Sequence, residues 1–277
     1  MLSFSLYDFG LMQWLNIAKR TFSISLYLLL GIFAGWGATP EPPPKKEKTS
    51  PSSPTVTQKA KPHSSWKTTA SLGAALTRGN SDTVTIHGSL KTSWKREQNE
   101  VASGAQFTYG EEKERVAASS VSGYGQYNRL FSNRFYLLGR VDARHDDMAR
   151  LAYRVKLSPG AGYYFLKNKK FTLQGELGPS FVFERLGDRS ANYWTLRIGE
   201  NFTWQINERA RSWQRLDYSP QTDDFADYVI NAEVGFEADI TQNLALRVVA
   251  MDTYRSKPAP GREENDFKLI TGVSYKF

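Results

Sequence analysis

The chain has 277 residues, 40% of them hydrophobic, and it carries a net charge of +8 without a single cysteine. The missing cysteine excludes disulfides, thiolate metal sites and a lipid anchor on an N-terminal cysteine. Residues 1–65 and the rest of the chain each carry half of this net charge, and the basic residues are interspersed along the chain. A protein that binds nucleic acid usually concentrates its basic residues in a patch or motif. The charge distribution therefore argues against nucleic acid as a partner.

Residues 1–37 have the pattern of a secretory signal peptide. Lys19 and Arg20 form a positive region, an apolar run from Thr21 to Ala34 follows, and Gly35-Trp36-Gly37 supplies small residues for cleavage. Met12 is an alternative start for this segment. The apolar run is short for a membrane anchor, so we expect export and removal of the segment.

Residues 38–65 differ from both flanking parts of the chain. The segment contains seven prolines, five lysines and many Ser and Thr residues. This composition cannot bury a core, and it predicts a disordered periplasmic linker. A contact of its basic residues with the cell wall is the functional alternative to a plain spacer.

From Trp66 to Phe277 the sequence alternates with a period of two. In the last segment, alternate residues from Phe267 to Phe277 are mostly apolar, whereas those from Lys268 to Lys276 are mostly polar or small. Such alternation predicts strands, because successive side chains point to opposite faces. Twelve strands are predicted, most of them 11–14 residues long: 66–77, 83–94, 100–110, 117–129, 135–146, 152–165, 171–183, 192–204, 211–218, 227–238, 244–255 and 265–277.

The connections between these segments are short and polar, so consecutive strands are expected to be antiparallel neighbours. Strands of this length can cross a bilayer at a tilt, since roughly 9–11 residues suffice. An open sheet edge is not tolerated in lipid, and the last strand is therefore expected to close on the first. The predicted fold is all-β: a closed antiparallel up-and-down transmembrane β-barrel of about twelve strands over residues 66–277.

The charged face of the strands distinguishes a membrane barrel from a soluble one. Charges at mid-strand depth would be costly in a dry core but not in a wet lumen. The predicted lumen-lining residues are Arg140, Asp142, Arg144, Lys156, Glu176, Arg197, Glu233 and Arg247. Across all twelve strands we count ten basic against four acidic residues on this face, which favours anions in any open pore.

The opposite face carries aromatic residues near the strand ends and smaller apolar residues between them, as the interfacial girdles of outer-membrane barrels do. Glu200 departs from this pattern, because it falls on the apolar face of its strand. The chain stops at Phe277, at the end of an alternating strand. We interpret this residue as an assembly signal for the barrel assembly machinery, and an even number of strands then places both termini in the periplasm.

Short motifs carry a family resemblance. The segment 71–86 (SLGAALTRGNSDTVTI) resembles the opening hairpin of the salt-induced outer-membrane protein family of YdiY type, and 153–165, 173–185 and 266–277 are similar to later strands of that family. The resemblance covers about 66–277, while the segment 38–65 departs from it. It implies a barrel in the bacterial outer membrane, in contact with its lipids, and it brings no activity and no functional residues.

Three functions remain open from the residues alone. The first is a narrow channel for small solutes with mild anion preference. The second is a structural or envelope-stress-related barrel without transport, in which lumen charges pair and fill the interior. The third and least favoured is a membrane-embedded lipid hydrolase using His145, for which no sequence feature places a serine nearby. We therefore expect no enzyme activity.

Acidic residues suggest one further site. Asp217, Asp223, Asp224 and Asp227, and Asp146 with Asp147, could bind Ca²⁺ at the outer loops, but their spacing is not that of a known calcium loop. Solvated loop charges are the simpler interpretation, and neither a metal nor a cofactor is expected.

Overall fold

The structure is a computed structural model that describes residues 66–78, 83–112, 115–258 and 261–277. The predicted signal peptide and linker lie outside these residues. The twelve strands are β1 (Trp66–Arg78), β2 (Thr83–Arg96), β3 (Asn99–Glu112), β4 (Arg115–Leu130), β5 (Phe135–Asp146), β6 (Leu151–Lys167), β7 (Phe171–Leu186), β8 (Arg189–Gln205), β9 (Ala210–Pro220), β10 (Tyr228–Asp239), β11 (Leu244–Arg255) and β12 (Asn265–Lys276).

Each strand pairs with its sequence neighbours in antiparallel fashion, and β1 pairs with β12, so the sheet closes into a barrel. The predicted fold class and all twelve predicted strands are confirmed. Several strands are longer than predicted: β7 continues to Leu186 and β8 begins at Arg189. The backbone ladder continues beyond the zone in which side chains alternate, because hydrogen bonding does not require that alternation.

The turns define two ends of the barrel. We call the end with Trp66 and Phe277 the terminal end, and the opposite end the loop end. Two-residue turns occur at both: Glu97-Gln98 at the terminal end and Gly187-Asp188 at the loop end, with φ of 53° at Glu97 and 58° at Gly187. Positive φ is characteristic of hairpin turns that match the strand twist.

The outer surface is apolar. Val84 is 70% exposed, and Leu72 and Ile86 are each 59% exposed, although all three are apolar. A surface of this kind is stable against hydrocarbon rather than water. None of the described residues form a helix that is long and apolar enough to cross a membrane.

Two apolar clusters lie inside the barrel. Ala75, Val249 and Ile270 pack around the Trp213 indole. Leu130, Tyr136, Leu138 and Tyr164 form the second cluster towards the terminal end, where the two tyrosine rings lie 5.2 Å apart. The interior is therefore partly filled by side chains and is not an open cylinder.

The closing seam between β1 and β12 depends on close backbone approach. Gly73 faces Gly272 in the register of this pair. A Cβ on Gly272 would overlap the carbonyl group of Leu72 and the backbone of Gly73, and backbone atoms cannot rotate away. The seam therefore requires glycine at this position.

We expect Gly272→Ala to lower the free energy of unfolding by about 1–3 kcal/mol, because the added methyl group overpacks the seam. Denaturant unfolding of the refolded barrel in detergent measures this. Gly139→Ala is the matched control, since nothing lies within 4 Å of a Cβ built there. Equal stability of the two variants would contradict the role of the seam.

Candidate functional site in the barrel interior

A cavity of about 320 Å³ runs along the barrel interior, and we call it the axial cavity. It reaches Arg255, the last residue of β11 at the loop end. At the other extreme it is lined by Gly104 and Asn201, which lie five and four residues from the terminal ends of β3 and β8. The cavity thus follows most of the length of the strands, between side chains of opposite walls.

One wall of the axial cavity is built around a buried ion pair. Arg197 Nη1 donates to Glu176 Oε2 at 2.9 Å, and the two side chains are only 6% and 1% exposed. Arg197 Nε donates to Asp217 at 2.5 Å, and Lys156 Nζ lies 3.4 Å from the same carboxylate. These four side chains, from four successive strands, form what we call the Glu176 network.

Neutral donors complete the Glu176 network. The other carboxylate oxygen of Glu176 accepts hydrogen bonds from Gln126 Nε2 at 2.8 Å and from the Tyr136 hydroxyl at 2.9 Å. Ser219 donates to Asp217 at 2.9 Å and lies 2.9 Å from Lys156 Nζ. A buried carboxylate tolerates loss of water when charged and neutral donors replace it, and Glu176 meets this condition.

Arg140 extends this wall towards β5. Its guanidinium donates to both carboxylate oxygens of Asp142, with Nε 2.8 Å from Oδ2 and Nη2 2.6 Å from Oδ1. Gln126 accepts a further hydrogen bond from Arg140 at 3.1 Å, and the Tyr124 ring lies 4.5 Å from the guanidinium carbon. Such a fork holds the guanidinium in one orientation.

The neighbouring wall, at β9 and β10, is organised by Glu233 on β10. Its carboxylate accepts a hydrogen bond from the Trp213 indole at 2.6 Å and lies 3.6 Å from Lys91 Nζ and 3.5 Å from Arg215. Lys91 belongs to β2, four strands away from β10 around the barrel, so this ion pair crosses the lumen. Arg247 stacks on the Trp213 ring at 4.9 Å.

Cationic side chains gather at the loop end of the cavity. Arg154 Nε donates to Glu184 at 2.6 Å, and Arg144 Nη2 donates to Asp146 at 2.6 Å. Arg255 lies near both arginines, and within the described part of the chain no carboxylate is within 4.0 Å of its guanidinium. Arg255 also borders a second cavity of about 190 Å³ beneath the loops.

The loops above the second cavity are joined by an ion pair between Lys257 and Asp224. The hydrogen bond from Lys257 holds the pKa of the Asp224 carboxyl below its ordinary value, and the same contact raises the pKa of Lys257. Among the described residues, no group of three or more His, Cys, Asp or Glu side chains has an arrangement that could hold a metal ion.

The terminal end is the more tightly filled part of the interior. The Tyr164 hydroxyl donates to Glu100 across the lumen at 2.7 Å, and Lys95 pairs with Glu100 at 3.0 Å. Together with the Tyr136 cluster, these contacts fill the interior between the axial cavity and the terminal end of the barrel.

The structure brings most of the predicted lumen residues to this cavity. The residues Arg140, Asp142, Arg144, Lys156, Arg197 and Glu233 line it. Glu176 lies buried behind Arg197, and Arg247 borders a small neighbouring cavity beside His87. Phe277 lies at the terminal end, 73% exposed, with its amide donating to the Thr68 carbonyl at 2.9 Å.

Sequence reasoning missed the aromatic residues of the interior. Tyr124, Tyr136, Tyr164 and Trp213 point inward, a direction that their strand parity indicates. Asp217, which we considered as a calcium ligand near the outer loops, lies in β9, within the predicted strand 211–218, and belongs to the Glu176 network.

The two ring nitrogens of His145 both contact oxygen acceptors. Nδ1 lies 2.8 Å from the Ala152 carbonyl oxygen, and Nε2 lies 2.9 Å from an Asp147 carboxylate oxygen. A carbonyl oxygen accepts only, so Nδ1 is the donor there, and Nε2 faces an acceptor as well.

We expect Arg197→Met to lower the free energy of unfolding by about 3–5 kcal/mol, because Glu176 and Asp217 would remain buried without their shared cation. Denaturant titration of the refolded barrel measures the change. Lys95→Met removes a cation whose side chain is 66% exposed, and its cost should stay below about 1 kcal/mol. Similar costs for the two variants would show that the Glu176 network does not hold the wall.

Comparisons with known proteins place this barrel in a family. A family model described as "Protein of unknown function, DUF481" matches residues 70–277. No curated protein matches the sequence.

Among solved structures, the chain is similar to the NanC porin, with a TM-score of 0.53 and 10% identity over 75% of this chain and 100% of that chain. An outer membrane channel from Pseudomonas putida F1 aligns with a TM-score of 0.46 and 10% identity over 82% of this chain and 100% of that chain. Outer membrane phospholipase A from Escherichia coli aligns with a TM-score of 0.46 and 11% identity over 75% of this chain and 89% of that chain.

The likeness to the NanC porin concerns the fold, that of a closed outer-membrane barrel. The family match covers three quarters of the chain and confirms the resemblance found in its short motifs. The apolar outer surface and the closed sheet agree with this assignment. The chain belongs to the DUF481 family, the family of the YdiY-type salt-induced outer-membrane proteins, and it is a twelve-stranded β-barrel of the outer membrane.

Proposed function

We propose that the barrel is a narrow channel for small solutes with mild anion preference. The axial cavity carries this proposal, because it extends from the loop end to within four or five residues of the terminal ends of β3 and β8. Its walls are polar and charged, and such walls hold water rather than exclude it. The shared fold with the NanC porin supports the same function.

The charge of the walls supports the anion preference. Eight basic residues line the axial cavity: Lys91, Arg140, Arg144, Arg154, Lys156, Arg197, Arg215 and Arg255. Of the acidic residues at the cavity, Asp142, Asp217 and Glu233 have side chains on the inward face, whereas Glu200 and Asp252 belong to the outward face. After the ion pairs within the walls are counted, basic side chains still outnumber acidic ones at the cavity. Arg255 is the clearest example, because no described carboxylate lies within 4.0 Å of its guanidinium.

A structural barrel without transport is the second candidate. The observation that favours it is the packing of the terminal end, where Tyr136 and Tyr164 are 0% and 2% exposed. In this alternative the crossing pairs, such as Lys91 with Glu233, serve stability alone. The two candidates differ in whether water and ions pass the filled part of the interior at the terminal end.

The channel proposal assigns no catalysis to the barrel. The geometry of His145 supports this part, because both of its ring nitrogens are engaged by acceptors. Phospholipid turnover by the refolded barrel that is lost in His145→Ala would contradict it.

The orientation proposed for the channel places both termini in the periplasm and the loop end outside. Its basis is the exposed Phe277 at the end of an alternating strand and the longer connections of the loop end, such as 256–264. An epitope inserted at Gly187-Asp188 should be labelled on intact cells. The same epitope at Glu97-Gln98, also in a two-residue turn, should be labelled only after the outer membrane is permeabilised, and the reverse result would invert the barrel.

Planar-bilayer recording of the refolded barrel tests the channel. We expect small, resolved conductance steps and a reversal potential on the anion side in a salt gradient. Arg255→Gln should lower the anion-to-cation permeability ratio about fivefold, since a unit charge about 8 Å away in water stabilises an anion and destabilises a cation by about 0.5 kcal/mol each. Arg134→Gln, which removes a charge from a terminal-end turn, is the matched control and should leave the ratio unchanged.

Absence of conductance above background in a correctly refolded barrel would end the channel proposal in favour of the structural barrel. Conductance with no difference between Arg255→Gln and Arg134→Gln would keep the channel but remove the role of Arg255 in selectivity.

A further inference from the structure

The outward face of the barrel carries one deep carboxyl group among the described residues. On β8 this face is formed by Trp194, Leu196, Ile198, Glu200, Phe202 and Trp204, while Arg197 and Gly199 face inward and are buried. Glu200 is therefore an acid in a row of aromatic and aliphatic side chains. Asp252 shares the outward parity on β11, but it lies three residues from the loop end of that strand.

The depth of Glu200 follows from its place between two aromatic residues. Trp204 is at the terminal end of β8, and Trp194 is in its loop-end half. Four residues at about 3.3 Å each, on a strand tilted by about 40°, place Glu200 roughly 10 Å inward from Trp204. The apolar band of such a barrel is about 25 Å tall, so Glu200 lies close to its middle.

Glu200 has polar neighbours on the adjacent strand. Gln214 Nε2 donates to Glu200 Oε2 at 3.1 Å, and Gln214 shares the outward face of β9 with Ser212. Ser212 donates to the Gly235 carbonyl at 3.0 Å. We call Glu200, Ser212 and Gln214 the β8–β9 polar seam.

Bonding within the seam is incomplete. The bond from Gln214 uses one amide hydrogen and one carboxyl oxygen. Within the described residues, the second carboxyl oxygen of Glu200 and the amide oxygen and remaining N–H of Gln214 have no hydrogen-bond partner. Acyl chains offer neither donors nor acceptors, and polar groups at this depth mark sites where another protein group is met.

We propose that the β8–β9 polar seam is the contact surface of a homodimer, in which the seams of two copies hydrogen-bond to each other within the bilayer. The seam is self-complementary, because a neutral Glu–Gln pair holds both donors and acceptors. A two-fold axis through the seam brings the donor of one copy to the acceptor of the other. A different partner would need its own polar pair at the same depth, and lipid headgroups lie about 10 Å away.

Apolar side chains surround the seam on both sides. On β7, Gly175 lies next to Glu200 and is covered by the exposed Phe165 ring, and on β9 Leu216 lies next to Glu200. Phe171 stacks on Phe202 and Trp204 with ring centroids 6.2 Å apart, which gives an aromatic border at the terminal side. The polar seam is therefore framed by apolar surface that a second copy can also cover.

This inference does not depend on the proposed channel, because the seam faces away from the lumen. Sedimentation equilibrium of the refolded, full barrel in detergent measures the association directly. We expect a monomer–dimer equilibrium for the natural sequence. The double variant Glu200→Leu/Gln214→Leu should weaken dimerisation at least about tenfold, as loss of two or more hydrogen bonds in an apolar medium does.

The thermal stability of the double variant in detergent shows whether it is folded. Replacing polar groups by leucine on the lipid face should leave the barrel at least as resistant to heat in detergent, so that a loss of dimer is not a loss of fold. Ser103→Leu is the matched control: Ser103 is an outward polar residue on β3, six strands away from β9. A natural sequence that stays monomeric at all concentrations, or a double variant that dimerises equally well, would overturn the proposal.

Crosslinking in membranes identifies the partner. The chain has no cysteine, so Leu216→Cys introduces a single thiol directly beside Glu200. In vesicles containing the barrel alone, mild oxidation should yield a disulfide-linked dimer for Leu216→Cys and none for Ala105→Cys on the opposite wall. Equal yields for the two variants would reflect random collision. Crosslinking of Leu216→Cys in cells to another protein only, with no homodimer in either setting, would assign the seam to a different partner.

Discussion

The pairing of β1 with β12 is the constraint on which the rest of the structure depends. Hydrocarbon cannot hydrogen-bond to the backbone, so an open strand edge in a membrane would leave a row of unsatisfied groups. The register of this pair runs from Thr69 opposite Lys276 to Arg78 opposite Phe267, and the Phe277 amide adds a last bond to Thr68. Closure fixes the circumference, and the circumference limits how far apart the inward side chains are.

A twelve-stranded circumference explains why the interior is crossed by side-chain contacts. Lys91 reaches Glu233, Lys156 reaches Asp217 and Tyr164 reaches Glu100, each across at least three strands. In a wider barrel these groups would face water separately. Here they hold each other, and what remains is the polar axial cavity with a cationic excess at the loop end, where none of the described carboxylates lies within 4.0 Å of the Arg255 guanidinium.

The inner face of the barrel meets water and the outer face meets lipid, and each face carries residues that depart from this pattern. Inside, the apolar group around Trp213 occupies space that water would otherwise fill. Outside, Glu200 and Gln214 interrupt the apolar surface at the depth where polar groups are least tolerated. A sequence that keeps such a pair on its lipid face satisfies it by contact with protein, and the open donors and acceptors of the pair match those of a second copy.

The sequence by itself determined the strands, their antiparallel order and the solvent of each face, because alternation is a local property that a strand imposes on any chain. It also determined that the sheet closes, because the backbone groups of an open strand edge would find no hydrogen-bond partners in lipid. Only the tertiary structure decided which inward residues meet. The stagger of the closed sheet brings Glu176, Arg197 and Asp217 from neighbouring strands into one network and Lys91 to Glu233 across the lumen. The stagger is the sum of the register offsets between neighbouring strands around the whole barrel. The residue pattern within any single strand therefore cannot reveal it.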